Sequence, residues 1–200
     1  NRRDIATYVV IDASSSTAER VAGERIIDIE KVSVALLAGA LDAVGDDFAV
    51  ASFFSMNRNN VFFQVAKTFV EKWGPDGQGR LSQVEANAGN RDGCAIRHAT
   101  RRLAELPHKT KLLLFLSDGI PADVGYGGTS AADTSTYAIE DTRRSLLEAR
   151  RNGITPYCIT VDALGHDYLP YLYGQRHFRV IRDVEMLPEA LARLYARITT

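Results

Sequence analysis

Cysteine is scarce in this sequence, and the two residues present, Cys94 and Cys158, are too few for a disulfide scaffold. Their spacing also matches no metal-binding pattern. We expect both to be buried thiols in a reducing compartment, with a single disulfide between them as the alternative.

Long apolar runs and an excess of one charge are also missing. No stretch of about 18 apolar residues occurs, so the sequence encodes no transmembrane helix. Lysine and arginine total 24 against 25 for aspartate and glutamate, which gives no reason to expect nucleic acid or an anionic membrane as the main partner. No signal peptide is visible, and the start at Asn1 without methionine indicates a part of a longer chain; a cytoplasmic location is expected.

Apolar strands alternate with amphipathic segments along the whole chain, which predicts one α/β domain over residues 1–200. We expect a doubly wound, mainly parallel sheet with helices on both faces and one antiparallel edge strand at residues 61–66. The continuous apolar run 112–116 is typical of a central parallel strand. Less regular parts are a turn at 74–77, a short helix at 81–88, and a long polar loop at 123–136 before a helix at 137–152. The other predicted strands are residues 5–11, 48–54, 154–161 and 178–181, and the other predicted helices are 28–44, 94–106 and 187–198.

The first strand is followed by Asp12, Ser14 and Ser16, one carboxylate and two hydroxyls on alternate residues. Ligands of open α/β sheets bind beyond the carboxyl ends of the strands. Oxygen donors of this kind suit Mg²⁺, with Mn²⁺ or Ca²⁺ as alternatives, whereas zinc is disfavoured. The alternative is a serine-rich turn that caps the next helix.

A second strand exit carries Asp118, and between the two lies the segment Asn90-Arg91-Asp92-Gly93 at the start of a helix. With these residues the sequence resembles a von Willebrand factor A (VWA) domain, whose metal-ion-dependent adhesion site takes its ligands from the corresponding positions. The family commonly has a threonine shortly before a glycine in the middle loop, and this sequence departs from that pattern. Either Asn90 or Asp92 could supply the middle ligand, and Asp92 could equally be a helix cap.

A narrower resemblance is carried by five segments: Arg2-Arg3-Asp4, residues 90–99, residues 137–143, residues 153–162 and Asp167-Tyr168-Leu169-Pro170. This resemblance is to the carboxy-terminal domains of the NorD/CbbO proteins. It implies an adaptor, not an enzyme, that works with a MoxR-class AAA+ ATPase and activates a client, either nitric oxide reductase or rubisco. The metal would bind an acidic residue of that client.

Candidate partner-binding residues are Arg91, Arg97 and Asp123, and the alternative is that the arginines only form a solvated helix face. Catalysis has one weak signal, because Cys94 and His98 lie four residues apart on one helix. The sequence lacks a Gly-Xaa-Ser-Xaa-Gly elbow, and no Gly-x-Gly-x-x-Gly follows the first strand.

Overall fold

A computed structural model describes residues 4–21, 23–126, 131–162, 165–181 and 186–199, without the side chains of residues 131–135, 198 and 199. Its strands are β1 (Ile5–Asp12), β2 (Arg20–Val21), β3 (Glu24–Arg25), β4 (Asp47–Asn57), β5 (Asn60–Lys67), β6 (Thr110–Ser117), β7 (Ile154–Thr160) and β8 (Phe178–Val180). Its helices are α1 (Ile26–Val44), α2 (Pro75–Ser82), α3 (Asp92–Ala104), α4 (Ala131–Arg151), α5 (Gly165–Tyr173) and α6 (Leu187–Thr199).

Six strands form the main sheet in the order β5-β4-β1-β6-β7-β8, and β2 pairs with β3 as a separate small ribbon. Every pair in the main sheet is parallel except β4 with β5. The predicted fold is therefore confirmed, including the antiparallel edge strand. The run 112–116 also lies inside the sheet as predicted, because β6 pairs with β1 on one side and β7 on the other.

Two apolar layers cover the sheet, because side chains alternate along each strand. In β1, Val9 and Ile11 pack under α1 and α6, whereas Tyr8 and Val10 pack under α3, α4 and α5. A fully buried Val or Ile stabilises the fold by roughly 1.5–3 kcal/mol. Between these layers β1 and β6 are parallel neighbours, so their carboxyl ends meet at one edge of the sheet.

Residues 67–90 differ from the sequence prediction. The helix in this segment is α2, which starts at Pro75, and residues 83–91 contain no helix. The pair Gly74-Pro75 looks like a turn in the sequence, but proline is also favoured at the first position of a helix. The predicted helix at 81–88 was therefore wrong, and so was the turn at 74–77.

The long polar loop is shorter than predicted, since α4 already begins at Ala131. Part of the predicted loop, residues 127–130, lies outside the described residues. The first two turns of α4 have too few apolar residues to show a helical period, which explains the late predicted start.

Cys158 is buried as expected, whereas Cys94 is exposed, and both thiols are free. The expectation for Cys94 was wrong because the next two residues of α3, Ala95 and Ile96, face the sheet and turn position 94 outward. None of the described helices is both long and apolar enough to cross a membrane.

Candidate metal centre

The candidate centre lies where β1 and β6 end. These strands are parallel neighbours, with Ile11 paired with Leu116, so Asp12 and Asp118 leave the sheet at the same edge. A short 3-10 turn, Ser15–Ala18, follows β1, and it is closed by hydrogen bonds from the Thr17 amide and hydroxyl to the Ser14 carbonyl. This turn folds Ser14 and Ser16 back toward the two aspartates.

A chain of hydrogen bonds connects the four predicted residues of the two strand exits. The Ser14 amide donates to Asp12 Oδ1 at 2.8 Å, the hydroxyls of Ser14 and Ser16 are 3.1 Å apart, and the Ser16 hydroxyl donates to Asp118 Oδ1 at 2.9 Å. Asp12 and Ser14 are buried, Asp118 is partly exposed, and Ser16 is exposed. The cluster is therefore open to solvent on the side of Ser16 and Asp118.

The middle loop brings both predicted candidates into the cluster, but in different roles. The Asn90 amide nitrogen donates to Asp12 Oδ2 at 2.7 Å and to Asp92 Oδ1 at 3.2 Å. Its oxygen accepts the backbone N–H of Ala122 at 2.8 Å, which fixes the orientation of the amide. Asn90 thus donates to the carboxylates of Asp12 and Asp92. Asp92, the first residue of α3, contributes a carboxylate to the cluster.

Backbone hydrogen bonds hold the three loops together. Ser55 at the end of β4 exchanges two bonds with Gly89, at 2.7 and 2.8 Å, and the Ser15 amide donates to Ala88 O at 3.0 Å. A Cβ on Gly89 would lie 2.6 Å from Ala122 O, so only glycine permits this close approach of the middle loop to the loop after β6. The donor set is therefore supported by backbone and does not depend on flexible side chains.

Two buried carboxylates, those of Asp12 and Asp92, lie beside the partly exposed carboxylate of Asp118, and this grouping is electrostatically unfavourable. Burial, followed by the charge of Asp118, raises the pKa of Asp12 to about 7. Burial and the neighbouring aspartates raise the pKa of Asp92 well above its usual range, and burial raises that of Asp118. In the described part of the chain none of the three pairs with a lysine, arginine or histidine.

The donors fit a hard cation but do not form a closed carboxylate cage. Within the described ranges, no group of three or more Asp, Glu, His or Cys side chains is arranged to hold a metal by itself. The two serine hydroxyls, and solvent on the exposed side, would have to supply the remaining oxygens. The metal-binding roles of Asp12, Ser14, Ser16, Asn90, Asp92 and Asp118 stay predictions.

Glu30 is a polar residue near this centre that the sequence analysis missed. It is buried on α1, and Oε2 makes no hydrogen bond to the described residues. Burial, and then the charges of Asp118 and Asp12, raise the pKa of Glu30 well above its usual range. A signal was available, because position 30 falls on the same helical stripe as the buried apolar residues Ile26, Val34 and Leu37.

Arg91 and Asp123, two of the predicted partner-binding residues, pair with each other. Their side chains form a buried ion pair, and Arg91 Nη2 also donates to Val124 O at 2.8 Å. The guanidinium carbon lies 4.2 Å from the centre of the Tyr126 ring. These contacts hold the loop after β6 against the start of α3, and they occupy both charges inside the fold. Partner binding by Arg91 and Asp123 stays a prediction.

The third such residue, Arg97, lies on the outer side of α3 and bridges to α4. It pairs with Asp141 at 2.9 Å and with Glu148 at 2.9 Å. The Tyr126 hydroxyl also donates to Asp141, at 2.9 Å. Asp141 approaches so closely that a Cβ on Gly93 would lie 2.2 Å from its Oδ2. Arg97 therefore stabilises helix packing behind the centre, and partner binding by it stays a prediction.

Comparison with known proteins adds sequence relatives, although no family model matches the chain. The uncharacterized protein PA0525 of Pseudomonas aeruginosa is 41% identical over 199 residues, covering 98% of this chain and 31% of that protein. Protein NorD of Stutzerimonas stutzeri is 39% identical over 185 residues, covering 92% of this chain and 29% of NorD. The chain thus spans less than one third of the length of these relatives.

Solved structures agree on the fold. The vWF domain of the type V pili tip protein Mfa5 from Porphyromonas gingivalis matches with a TM-score of 0.68 at 12% identity, covering 97% of this chain and 94% of that one. The SpRpn10 VWA domain matches with a TM-score of 0.63 at 13% identity, covering 94% of each chain. The chain is therefore a domain with the von Willebrand factor A fold, and over most of its length its sequence is similar to one part of the NorD proteins.

Proposed function

We propose that this domain is a metal-dependent protein-binding adaptor. The cation, Mg²⁺ or in its place Mn²⁺ or Ca²⁺, would be bound at the carboxyl ends of β1 and β6, and an acidic side chain of a client protein would complete its coordination. A charge-assisted contact of this kind is directional and therefore gives specificity as well as affinity. The residues proposed to hold the cation are Asp12, Ser14, Ser16, Asp92 and Asp118.

The observation that carries the proposal is the set of three mutually repelling carboxylates. Asp12 and Asp92 are buried, the pKa of each of the three is raised, and no cationic side chain of the described residues pairs with them. Buried charges are ordinarily paired or bind metals, because an uncompensated charge is costly in a medium of low dielectric constant. A divalent cation would remove the repulsion and turn a destabilising cluster into a binding site.

Asp92 is proposed as the middle-loop ligand in place of Asn90. The Asn90 oxygen already accepts from the Ala122 amide, and its NH₂ group, which points at Asp12 and Asp92, cannot bind a cation. Asn90 is better suited to position the two carboxylates. The additional negative charge of an aspartate at this position would favour cation binding and reduce the attraction left for a client's carboxylate.

A protein is the favoured ligand because apolar side chains are exposed beside the centre, in the loop after β6 and at the end of β4. Ile120 and Val124 follow Asp118, Met56 follows Ser55, and all three are at least 40% exposed. Exposed apolar groups around a polar centre are typical of protein-binding surfaces. By resemblance, the client would be nitric oxide reductase or rubisco and the partner a MoxR-class AAA+ ATPase; the NorD-named relatives favour the reductase.

An enzyme is the rival proposal, and the pair Cys94 and His98 does not support it. The pKa of Cys94 is raised, chiefly because neighbouring groups partly desolvate the thiol, and this is opposite to the shift that activates a thiol nucleophile. The His98 ring packs against the Phe63 ring in a tilted arrangement, with 4.3 Å between centroids. This contact accounts for His98 as a packing residue.

The cation site is tested by thermal unfolding of the chain in chelator and in increasing Mg²⁺ or Mn²⁺. The melting temperature should rise with cation concentration by mass action, and Asp12→Ala should abolish the rise. In a reconstituted system, Asp12→Ala should also abolish client activation while ATP hydrolysis by the partner continues. A cation response that survives in Asp12→Ala, or metal-dependent turnover of a small substrate, would overturn the proposal.

A further inference from the structure

Glu30 is a buried carboxylate that neither the packing of α1 nor the proposed ligand set explains. It is 2% exposed, and Oε2 has no hydrogen-bond partner among the described residues. Such a group costs free energy in the folded state, so its presence requires an explanation other than packing. Its helical neighbours on the buried stripe are apolar except Ser33, whose hydroxyl is satisfied by the Ile29 carbonyl. A leucine or methionine would therefore pack at position 30 at lower cost.

The position of Glu30 connects it with the centre. The turn that carries Ser16 is joined to the start of α1 by a hydrogen bond from the Ile26 amide to Glu19 O at 3.0 Å, and Glu30 lies one helical turn after Ile26. Ile27 packs in the same apolar layer as Ala13, which lies between Asp12 and Ser14. Apart from burial, the charges that act on Glu30 are those of Asp118 and Asp12. Glu30 therefore lies on the side of the sheet covered by α1, close enough to the centre for the charges of Asp118 and Asp12 to act on it.

We propose that Glu30 is an outer-sphere residue of the cation site: its free oxygen accepts a hydrogen bond from a water of the bound cation and so selects a small, hydrated divalent cation. This inference rests on the proposed cation site and adds a residue and a selectivity to it. Mg²⁺ and ions of similar size retain several waters when bound, whereas Ca²⁺ takes six to eight oxygens in flexible geometry. A buried acceptor for a metal-bound water therefore favours Mg²⁺ or Mn²⁺ over Ca²⁺.

Cation binding by four variants tests the proposal, with Mn²⁺ and Ca²⁺ as the probes and calorimetry as the measurement. Glu30→Gln should lower the Mn²⁺ affinity about 10- to 100-fold, the usual effect of removing an outer-sphere partner, and lower the Ca²⁺ affinity less. Glu30→Met, which leaves no hydrogen-bond acceptor of comparable strength, should lose at least as much. The matched control is Asp28→Asn, two residues away on α1, where the carboxylate pairs with Arg25 and Lys31 on the surface. It should keep the affinity of the parent.

Asp12→Asn separates this inference from the proposed function. Folding of each variant is checked by its melting temperature in chelator, which both Glu30 substitutions should leave equal or higher because they remove an unpartnered buried carboxyl group. If the parent binds Mn²⁺, Asp12→Asn does not, and both Glu30 variants keep the parent's affinity and Mn²⁺/Ca²⁺ ratio, the role of Glu30 is refuted while the cation site stands. If the parent itself binds neither ion, both proposals fail.

Discussion

Asn90 is the residue on which the arrangement of the carboxylates depends. One amide nitrogen donates to both Asp12 and Asp92, at 2.7 and 3.2 Å. Asn90→Asp would replace that donor with a third buried negative charge beside the first two. We expect a loss of about 1–3 kcal/mol in the free energy of unfolding in chelator, the cost of leaving buried polar groups unsatisfied. Cation should recover part of it.

Denaturant unfolding in chelator and in Mg²⁺ measures this effect. Asn59→Asp, in the exposed turn between β4 and β5, is the matched control and should change little. Equal stability of Asn90→Asp and the parent in chelator would show that the carboxylates do not repel one another.

The raised pKa of Asp12 predicts how stability depends on pH without metal. An aspartate has a pKa of about 3.9 in an unfolded chain, and Asp12 has about 7 in the folded one. Between these values the folded state binds more protons, so stability is highest below about pH 4 for this group and falls as pH rises toward 7. One such group contributes about 1.4 kcal/mol per pH unit within the window.

Unfolding in chelator from pH 4 to 8 measures the slope, and Asp12→Asn serves as the reference that cancels other titrating groups. The parent should lose stability relative to the variant as pH rises, and saturating Mg²⁺ should remove the difference in slope. A parent that gains stability relative to Asp12→Asn over this range would contradict the assigned burial of the charge.

At the scale of elements, the contact between α3 and α4 is close enough for a sharp test. A Cβ on Gly93 would lie 2.2 Å from Asp141 Oδ2 and 2.8 Å from its Cγ. Gly93→Ala must therefore push the Asp141 carboxylate out of its contacts with Arg97 and Tyr126, or move α3 and α4 apart, at a cost of typically 1–3 kcal/mol. Because Asp92 is adjacent, cation affinity should fall as well.

Gly39→Ala is the control, since Gly39 lies in α1 and its Cβ would meet no atom within 4 Å. Alanine is the better helix former by about 1 kcal/mol, so this change should be neutral or stabilising. The measurement is chemical unfolding of both variants. Equal effects of the two substitutions would mean that α3 and α4 are not in close contact.

The elements that the sequence predicted well are those with a strong hydrophobic period. The buried runs of β1 and β6 and the stripes of α1 and α3 are set by burial, which the order of apolar residues records. Helix α2 was misplaced because Pro75 and two glycines hide its start, and α4 was predicted too short because its first turns carry no apolar period. Where α2 and α4 begin depends on tertiary contacts, which the local sequence does not record.

The candidate centre was predictable where a donor directly follows a strand, as with Asp12 and Asp118. The choice between Asn90 and Asp92 was not, because it depends on the Ala122 amide, 32 residues away in the sequence. Arg91 and Asp123 were taken as candidate surface charges, since nothing in the sequence shows that two distant charges pair with each other inside the fold.

For the molecule as a whole, we expect the client to bind at the edge of the sheet where β1 and β6 end. Val124 is 74% exposed beside the centre, and Val124→Glu would add a negative charge to a surface that is proposed to receive an acidic group. Client affinity should fall about tenfold or more, equivalent to about 1.4 kcal/mol, with Mn²⁺ affinity unchanged.

Val70→Glu is the matched control. Val70 is 94% exposed and follows Lys67, which pairs with Val50 near the start of β4, so it lies toward the opposite edge of the sheet. Client binding to the immobilised Val70→Glu variant should equal client binding to the immobilised parent. Equal losses from both substitutions would place the binding surface elsewhere.

Capture of the client by the immobilised chain, in Mg²⁺ and in chelator, is the direct test of metal-dependent client binding. Purified nitric oxide reductase and rubisco are offered separately, and Asp12→Ala is run beside the parent. One of the two enzymes should be retained in Mg²⁺, be released by chelator, and not be retained by Asp12→Ala. Retention that persists unchanged in chelator and in Asp12→Ala would contradict a metal-dependent adaptor.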